Sequence, residues 1–170
     1  MPKAVKVFVR SVDKLNTVVG IFSMYLVFMM IAILLYEPIA RNLFGKSSIW
    51  AVEMAQFTLA AYYMLGGGYS LLNDAHVRVD LFYSRWAPRR RAFSDSLTAF
   101  CLVFYLVFLL YGGFSSTSYA LEYGQENYSA WAPPLAPIKI IMCIGITLML
   151  LQAVSLFFKD LARLLGRDIQ

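Results

Sequence analysis

The chain has 170 residues, of which 60% are hydrophobic and only 15% charged, and its formal net charge is +5. Soluble domains are about 45–50% apolar and about 25% charged, so this composition excludes an ordinary soluble domain and indicates a surface that faces lipid. The positive charge does not indicate nucleic-acid binding, because the basic residues lie in the segments that flank long apolar runs.

Four runs without a charged residue determine the predicted fold class. They are 19 to 26 residues long, and about 20 apolar residues in a helix cross the roughly 30 Å hydrocarbon core of a bilayer. The alternating pattern of a membrane β-barrel is absent. The sequence therefore predicts an all-α integral membrane protein, a single membrane domain over residues 1–170, with transmembrane helices at roughly 16–36, 49–73, 93–114 and 138–158.

The first predicted span follows a basic segment, residues 3–14, in which apolar residues recur at helical spacing on one face. Two interpretations of this segment stay open: a short interfacial helix, or an ordinary basic flank. The apolar run behind it is long and no clear small-residue cleavage site follows, which favours an uncleaved helix over a signal peptide. Glu37 and Pro38 are expected to end the first helix on the outer side.

The second predicted span carries several candidate residues. Trp50 lies where an interfacial aromatic residue would anchor the helix, and Glu53 lies about one turn inside. Gly66, Gly67 and Gly68 leave one part of the helix almost without side-chain bulk, which favours close packing of helices. The alternative is a kink or local break that contacts a substrate.

The predicted loop at residues 74–91 contains the only histidine, His76, together with Arg78 and Asp80. The spacing of its acidic residues around His76 is not specific for a metal, so a hydrogen-bonded corner at the membrane surface is the favoured interpretation. Cys101 and Cys143 fall inside predicted spans and are expected to be packing residues. No nucleophile stands beside a base, and no cofactor pattern is present. The sequence therefore predicts no cofactor, no metal site and no enzymatic activity.

The two remaining loops, residues 37–48 and 115–137, lie on the opposite side of the predicted membrane domain. The third helix could continue into the second of these loops, whose three prolines predict an extended, irregular segment. Of the 15 basic residues, 12 lie before the first span, in loop 74–91 or after the fourth span. The positive-inside rule then predicts cytoplasmic termini, with loops 37–48 and 115–137 in the periplasm.

Glu53 is the main candidate for chemistry, because an ionisable group within a span is costly and usually has a partner or a function. In one interpretation it forms a structural or subunit-interface ion pair, with Arg41, Lys46 or Lys139 available on the same side. In the other it is a carrier carboxylate that binds a proton or cation.

The stretch "RNLFGKSSIWAVEMAQFTLAAYYMLGGGYSLLNDAHVRVDLFYSRWAPRRR" resembles the small, DctQ-type membrane subunit of tripartite ATP-independent periplasmic (TRAP) transporters. The resemblance covers almost the whole chain. It rests on the basic residue Arg41, a W-x-x-E-like segment with Trp50 and Glu53, the small-residue run Gly66 to Gly68, and an H-x-x-x-D element with His76 and Asp80. Pro137, just before the last predicted helix, and Gln152, within it, are further family-like positions.

The resemblance implies a non-enzymatic subunit of a sodium-coupled importer in the bacterial inner membrane. Its expected partners are a large multi-helix membrane subunit, a periplasmic substrate-binding protein that delivers an organic acid or similar solute, and the lipid bilayer. The subunit would enlarge the static scaffold of the transporter, with Arg41 and Glu53 as candidates for pairing within or between subunits. The rival hypothesis is an independent four-helix transporter, a homodimer that uses Glu53 as its ion-coupled site.

Overall fold

The computed structural model describes residues 3–45, 47–73, 75 and 88–164, with the backbone alone for residues 3–4, 88–93, 95–96, 160 and 163–164. Within these residues the fold is all-helical. Its elements are α1 (Lys3–Phe44), α2 (Ile49–Leu72), α3 (Pro88–Glu122) and α4 (Ala136–Leu164). The one β-type contact among the described residues is an isolated bridge between Glu126 and Pro134. The predicted all-α class is confirmed.

Three of these helices are long and apolar enough to cross a membrane, as judged over the described residues: α1 within Val5–Phe44, α3 within Leu97–Glu122 and α4 within Ala136–Lys159. α2 does not belong to this group, although it is 24 residues long. Glu53, Gln56 and the three glycines lower the mean hydropathy of α2. A span at residues 49–73 therefore stays a prediction.

α1 is one continuous helix of 42 residues, about 63 Å long at about 1.5 Å per residue. Residues 3–14 continue directly into α1 and form no separate helix. A position of this segment at the membrane interface stays a prediction. The apolar face of the segment is buried inside the fold, with Val9 and Val12 among the core residues. The expectation that Pro38 ends the helix is wrong. Proline removes one backbone hydrogen bond but already has a helical φ, and Ala40 beyond it is buried.

α1 ends at Phe44. The next residue, Gly45, has a φ of +64°, the left-handed conformation that glycine adopts without a steric penalty. α3 also exceeds its predicted span, since it begins at Pro88 and continues to Glu122. Charged residues mark where a chain leaves lipid, and a helix can extend beyond that point into water.

α4 occupies the centre of the arrangement, because it packs against α1, α2 and α3. α1 and α2 also pack against each other, whereas α3 packs chiefly on α4. Leu106 of α3 and Ile146 and Ala153 of α4 form a buried apolar cluster between these two helices. The fold therefore consists of a three-helix unit, α1, α2 and α4, with α3 attached along one side of α4.

Small residues permit close approach within the three-helix unit. α2 buries Ala51, Ala55, Ala61 and Gly68. At Gly145 of α4, an added Cβ would lie 2.7 Å from the backbone carbonyl carbon of Met64 on α2, so the two helices are almost in backbone contact there. Such close approach allows the van der Waals packing on which helix association in lipid depends.

The connection between α3 and α4 is ordered by backbone hydrogen bonds rather than irregular throughout. The Leu135 N–H donates to the Gln125 carbonyl at 2.9 Å, and the Asn127 N–H donates to the Pro133 carbonyl at 3.0 Å. These bonds draw the two ends of the loop together, so residues 127–133 form a short projecting tip. Its most exposed side chain is Tyr128.

Candidate functional site

A chain of polar side chains connects α1 and α4 inside the fold. The Lys159 ammonium lies 2.8 Å from Asp13 Oδ2. Asp13 Oδ1 accepts a hydrogen bond from Gln152 Nε2 at 3.0 Å, and Gln152 Oε1 accepts one from Asn16 Nδ2 at 2.8 Å. The chain therefore passes from a partly exposed ion pair to two amides that are almost completely buried: Gln152 at 0% and Asn16 at 1% exposure.

Helical spacing brings these side chains to the interface. Val9, Val12 and Asn16 follow one another at intervals of three and four residues, and all three are buried. On α4, Gln152 and Ser155 are three residues apart and are both fully buried. A buried amide in an apolar surrounding is costly unless it is hydrogen-bonded. The hydrogen bond between the Asn16 and Gln152 amides therefore stabilises the contact between α1 and α4.

The glycines of α2 lie against this polar chain. A Cβ at Gly68 would collide with Asn16 Oδ1, and a Cβ at Gly67 would lie 2.6 Å from the sulfur of Met149. Gly66 is less constrained, because the nearest atom to its added Cβ is Ser23 Oγ at 3.5 Å. α2 is helical throughout this stretch. The glycines therefore allow α2 to approach α1 and α4, without a break in the helix.

Two buried polar atoms of this region have no hydrogen-bond partner among the described residues: Asn16 Oδ1 and Ser155 Oγ. Asn16 Oδ1 lies so near Gly68 that a Cα–H contact can partly compensate it. Ser155 Oγ lies on the same face of α4 as Gln152, and it forms no hydrogen bond with a described residue.

Sequence reasoning missed Asn16 and Asp13. It assigned Gln152 only as a position that matches the family pattern. The signal for Asn16 was present, because a lone amide in an otherwise apolar run is expected to hydrogen-bond across a helix interface. The sequence did not indicate which helix would supply the partner.

Glu53 is buried, at 9% exposure, in the first turns of α2. Its Oε2 atom has no hydrogen-bond partner in the part of the chain that the structure describes. Neither Arg41 nor Lys139 forms an ion pair with it among the described residues: Arg41 is exposed, and Lys139 donates to Gln125 Oε1 at 2.7 Å and to the Ser116 carbonyl at 3.3 Å. Lys46 lies outside the described residues. Within the chain, Glu53 is a buried carboxylate without a described partner charge.

Trp50 lies near Glu53 in sequence and packs against α1. Its ring centroid is 5.6 Å from that of Tyr36, which joins the C-terminal part of α1 to the first turn of α2. Trp50 is 38% exposed, so one part of its ring contacts Tyr36 and the rest faces the surroundings. The role of an interfacial anchor stays a prediction.

Thr117 connects the C-terminal half of α3 to the N-terminal half of α4. Its hydroxyl lies 2.7 Å from the Gly113 carbonyl and 3.2 Å from Cys143 Sγ, and Gly113 and Cys143 are both buried. Cys143 is thus a packing residue in this interface, while Cys101 is exposed on α3. Neither forms a disulfide in the described structure.

The predicted corner of His76, Arg78 and Asp80 lies outside the described residues. Among the residues that are described, no group of three or more histidine, cysteine, aspartate or glutamate side chains could hold a metal ion.

Long apolar helices packed through small residues and buried amides define a multi-pass membrane protein. A protein-family comparison matches residues 30–163 to the family described as "Tripartite ATP-independent periplasmic transporters, DctQ component". The match covers more than three quarters of the chain, and the chain belongs to this family. It is a small permease subunit of the TRAP type, a transporter component rather than a member of an enzyme family. No curated protein matches the chain.

Proposed function

We propose that this chain is the membrane scaffold for the large transport subunit of a sodium-coupled importer in the bacterial inner membrane. The solute would be an organic acid or similar compound delivered by a periplasmic binding protein. In this proposal α2 is a fourth span, and both termini are cytoplasmic, because most basic residues flank the spans on that side.

The use of polar groups inside the helices supports a scaffold role. Asn16 and Gln152 hydrogen-bond each other across α1 and α4, and the Thr117 hydroxyl lies 3.2 Å from Cys143 Sγ across the α3–α4 contact. Polar side chains along a transport path would have to face a cavity where they could exchange partners with a solute or ion. Here these buried amides and hydroxyls hold helices of the same chain together.

One observation favours a second candidate, an independent ion-coupled transporter. Glu53 is a buried carboxylate whose Oε2 has no described partner, and such a group can bind a proton or a cation. In the scaffold proposal, the same carboxylate belongs to the outer contact with the large subunit. Arg41, exposed near the outer end of α1, would pair in the same region.

Affinity purification separates the two functions. The tagged chain is extracted from its native membrane in mild detergent, and the proteins that copurify are identified by mass spectrometry. The scaffold function predicts a stoichiometric multi-helix partner. A homo-oligomer that moves solute by itself in liposomes would establish the independent transporter.

A further inference from the structure

The N-terminal part of α1 presents a band of positive charge. Lys6, Arg10 and Lys14 are exposed and lie four residues apart, so they shift only about 40° around the helix from one to the next. None of them forms an ion pair with a side chain that the structure describes. Among the described residues, no acidic side chain pairs with this band of positive charge on one side of α1.

Packing fixes the direction in which this band faces. Val9, Val12 and Asn16 bury the opposite side of the helix in the fold, so α1 cannot rotate the band inward without exposing them. Asp13 is the only acidic residue between positions 3 and 36. Its carboxylate is engaged by Lys159 and Gln152, which directs its negative charge away from the band.

The band also lies at the depth of lipid headgroups. The charge-free run of α1 starts at Leu15. Along the helix axis, at about 1.5 Å per residue, Lys14 lies about 1.5 Å from Leu15, Arg10 about 7.5 Å and Lys6 about 13.5 Å. The headgroup layer extends about 5–8 Å on each side of the hydrocarbon core. The long side chain of Lys6 can reach back toward that layer.

Apolar side chains beside the band complete the pattern of a membrane-facing surface. Val7 is 65% exposed and Leu15 is 46% exposed, both on the side of the segment that does not pack in the fold. A basic band next to exposed apolar residues is typical of helices that contact anionic membranes. We propose that Lys6, Arg10 and Lys14 bind the headgroups of anionic phospholipids and so fix the N-terminal part of α1 at the membrane surface.

Lipid binding to the purified full-length chain, with any subunit that copurifies, tests this proposal. The protein is kept in a neutral detergent and titrated with phosphatidylglycerol or phosphatidylcholine, and bound lipid is measured by native mass spectrometry. We expect tighter binding of phosphatidylglycerol. The combined variant Lys6→Gln, Arg10→Gln and Lys14→Gln should weaken it by about tenfold or more, since one basic residue near an anionic surface contributes about fivefold.

A matched variant separates charge from other effects. The combined variant Lys6→Arg, Arg10→Lys and Lys14→Arg keeps all three charges and should bind phosphatidylglycerol as the wild type does. At about 1 M salt, where the screening length is about 3 Å, the preference of the wild type should largely disappear.

Unchanged phosphatidylglycerol affinity in the glutamine variant would overturn the proposal, because the binding would then belong to other basic residues. Equal affinity of the wild type for both lipids would overturn it as well. The circular dichroism spectrum and detergent unfolding of the glutamine variant should match the wild type, since the three side chains are exposed. The outcome does not depend on whether a large subunit copurifies, so the lipid proposal and the scaffold function can fail separately.

Discussion

Asn16 and Gln152 are 136 positions apart in the sequence and share a 2.8 Å hydrogen bond in the interior of the fold. The bond joins α1, the first helix, to α4, the last. Since α4 also packs against α2 and α3, this contact connects α1 to the central helix of the fold. Together with the contacts of Asp13 to Gln152 and Lys159, it holds the first and last helices together.

Replacement of Gln152 by leucine should destabilise the fold. The change removes hydrogen bonds to both Asn16 and Asp13 and leaves the buried Asn16 amide without its interhelical acceptor. Single interhelical hydrogen bonds in membranes contribute about 0.6 kcal/mol on average and up to about 1.7 kcal/mol, so we expect a loss of about 1–3 kcal/mol. Unfolding of the purified protein by titration with a denaturing detergent, followed by circular dichroism, measures it.

The matched control for this variant is Gln56→Leu, which makes the same chemical change at an exposed position of α2. It should leave the unfolding midpoint unchanged or raise it. Equal midpoints for Gln152→Leu and the wild type would contradict a stabilising role for the polar chain.

Alanine at Gly68 should destabilise the protein more than alanine at Gly66. A Cβ at Gly68 collides with Asn16 Oδ1, whereas one at Gly66 makes an ordinary 3.5 Å contact with Ser23 Oγ. The intrinsic helix propensity favours alanine at both positions, so a lower unfolding midpoint of Gly68→Ala reports the collision alone. Asn16→Ala also costs the hydrogen bond to Gln152, but it removes the atom that the Gly68→Ala side chain meets, so the double variant should lose less stability than the sum of the two single losses. A double variant whose losses simply add would indicate that the two residues do not interact.

The Asp13–Lys159 ion pair should make a small, salt-sensitive contribution. Its side chains are 27% and 24% exposed, and pairs near the surface usually contribute about 0.2–1 kcal/mol. Lys159→Met should lower the unfolding free energy by about that amount in dilute buffer. The difference from wild type should shrink at high salt. Lys14→Met removes an equal charge with no described partner and serves as the control. A loss that is the same for both variants would mean that net charge, and not the pair, causes the effect.

Sequence periodicity and the positions of charge were enough to predict the helical class, because a run of about 20 apolar residues can cross a membrane only as a helix or as part of a barrel. They did not predict where the helices end. α1 continues through Pro38 to Phe44, since a charged residue marks the edge of lipid and imposes no end on the helix.

The pairing of Asn16 with Gln152 could not be predicted for a different reason. It depends on the rotation of α1 relative to α4, which side-chain packing over the whole interface determines. Gly66 to Gly68 were correctly placed within a helix, but their individual contacts require the same information. The expected partners of Glu53 illustrate the limit most clearly: Lys139 lies in the first turn of α4, and its ammonium donates to Gln125 Oε1 and the Ser116 carbonyl.

Replacement of Glu53 by glutamine distinguishes a scaffold contact from a carrier site. Glutamine keeps the size of the side chain and removes the cost of burying a charge, so the isolated chain should be as stable as the wild type or more stable. If Glu53 pairs with a basic group at the subunit contact, less of the large subunit should copurify with the variant. Quantitative mass spectrometry of the purified complex measures this ratio. Glu122→Gln, an exposed carboxylate at the outer end of α3, is the control and should leave the ratio unchanged. Normal assembly combined with loss of all ion dependence of transport would contradict the scaffold role and assign Glu53 to ion coupling.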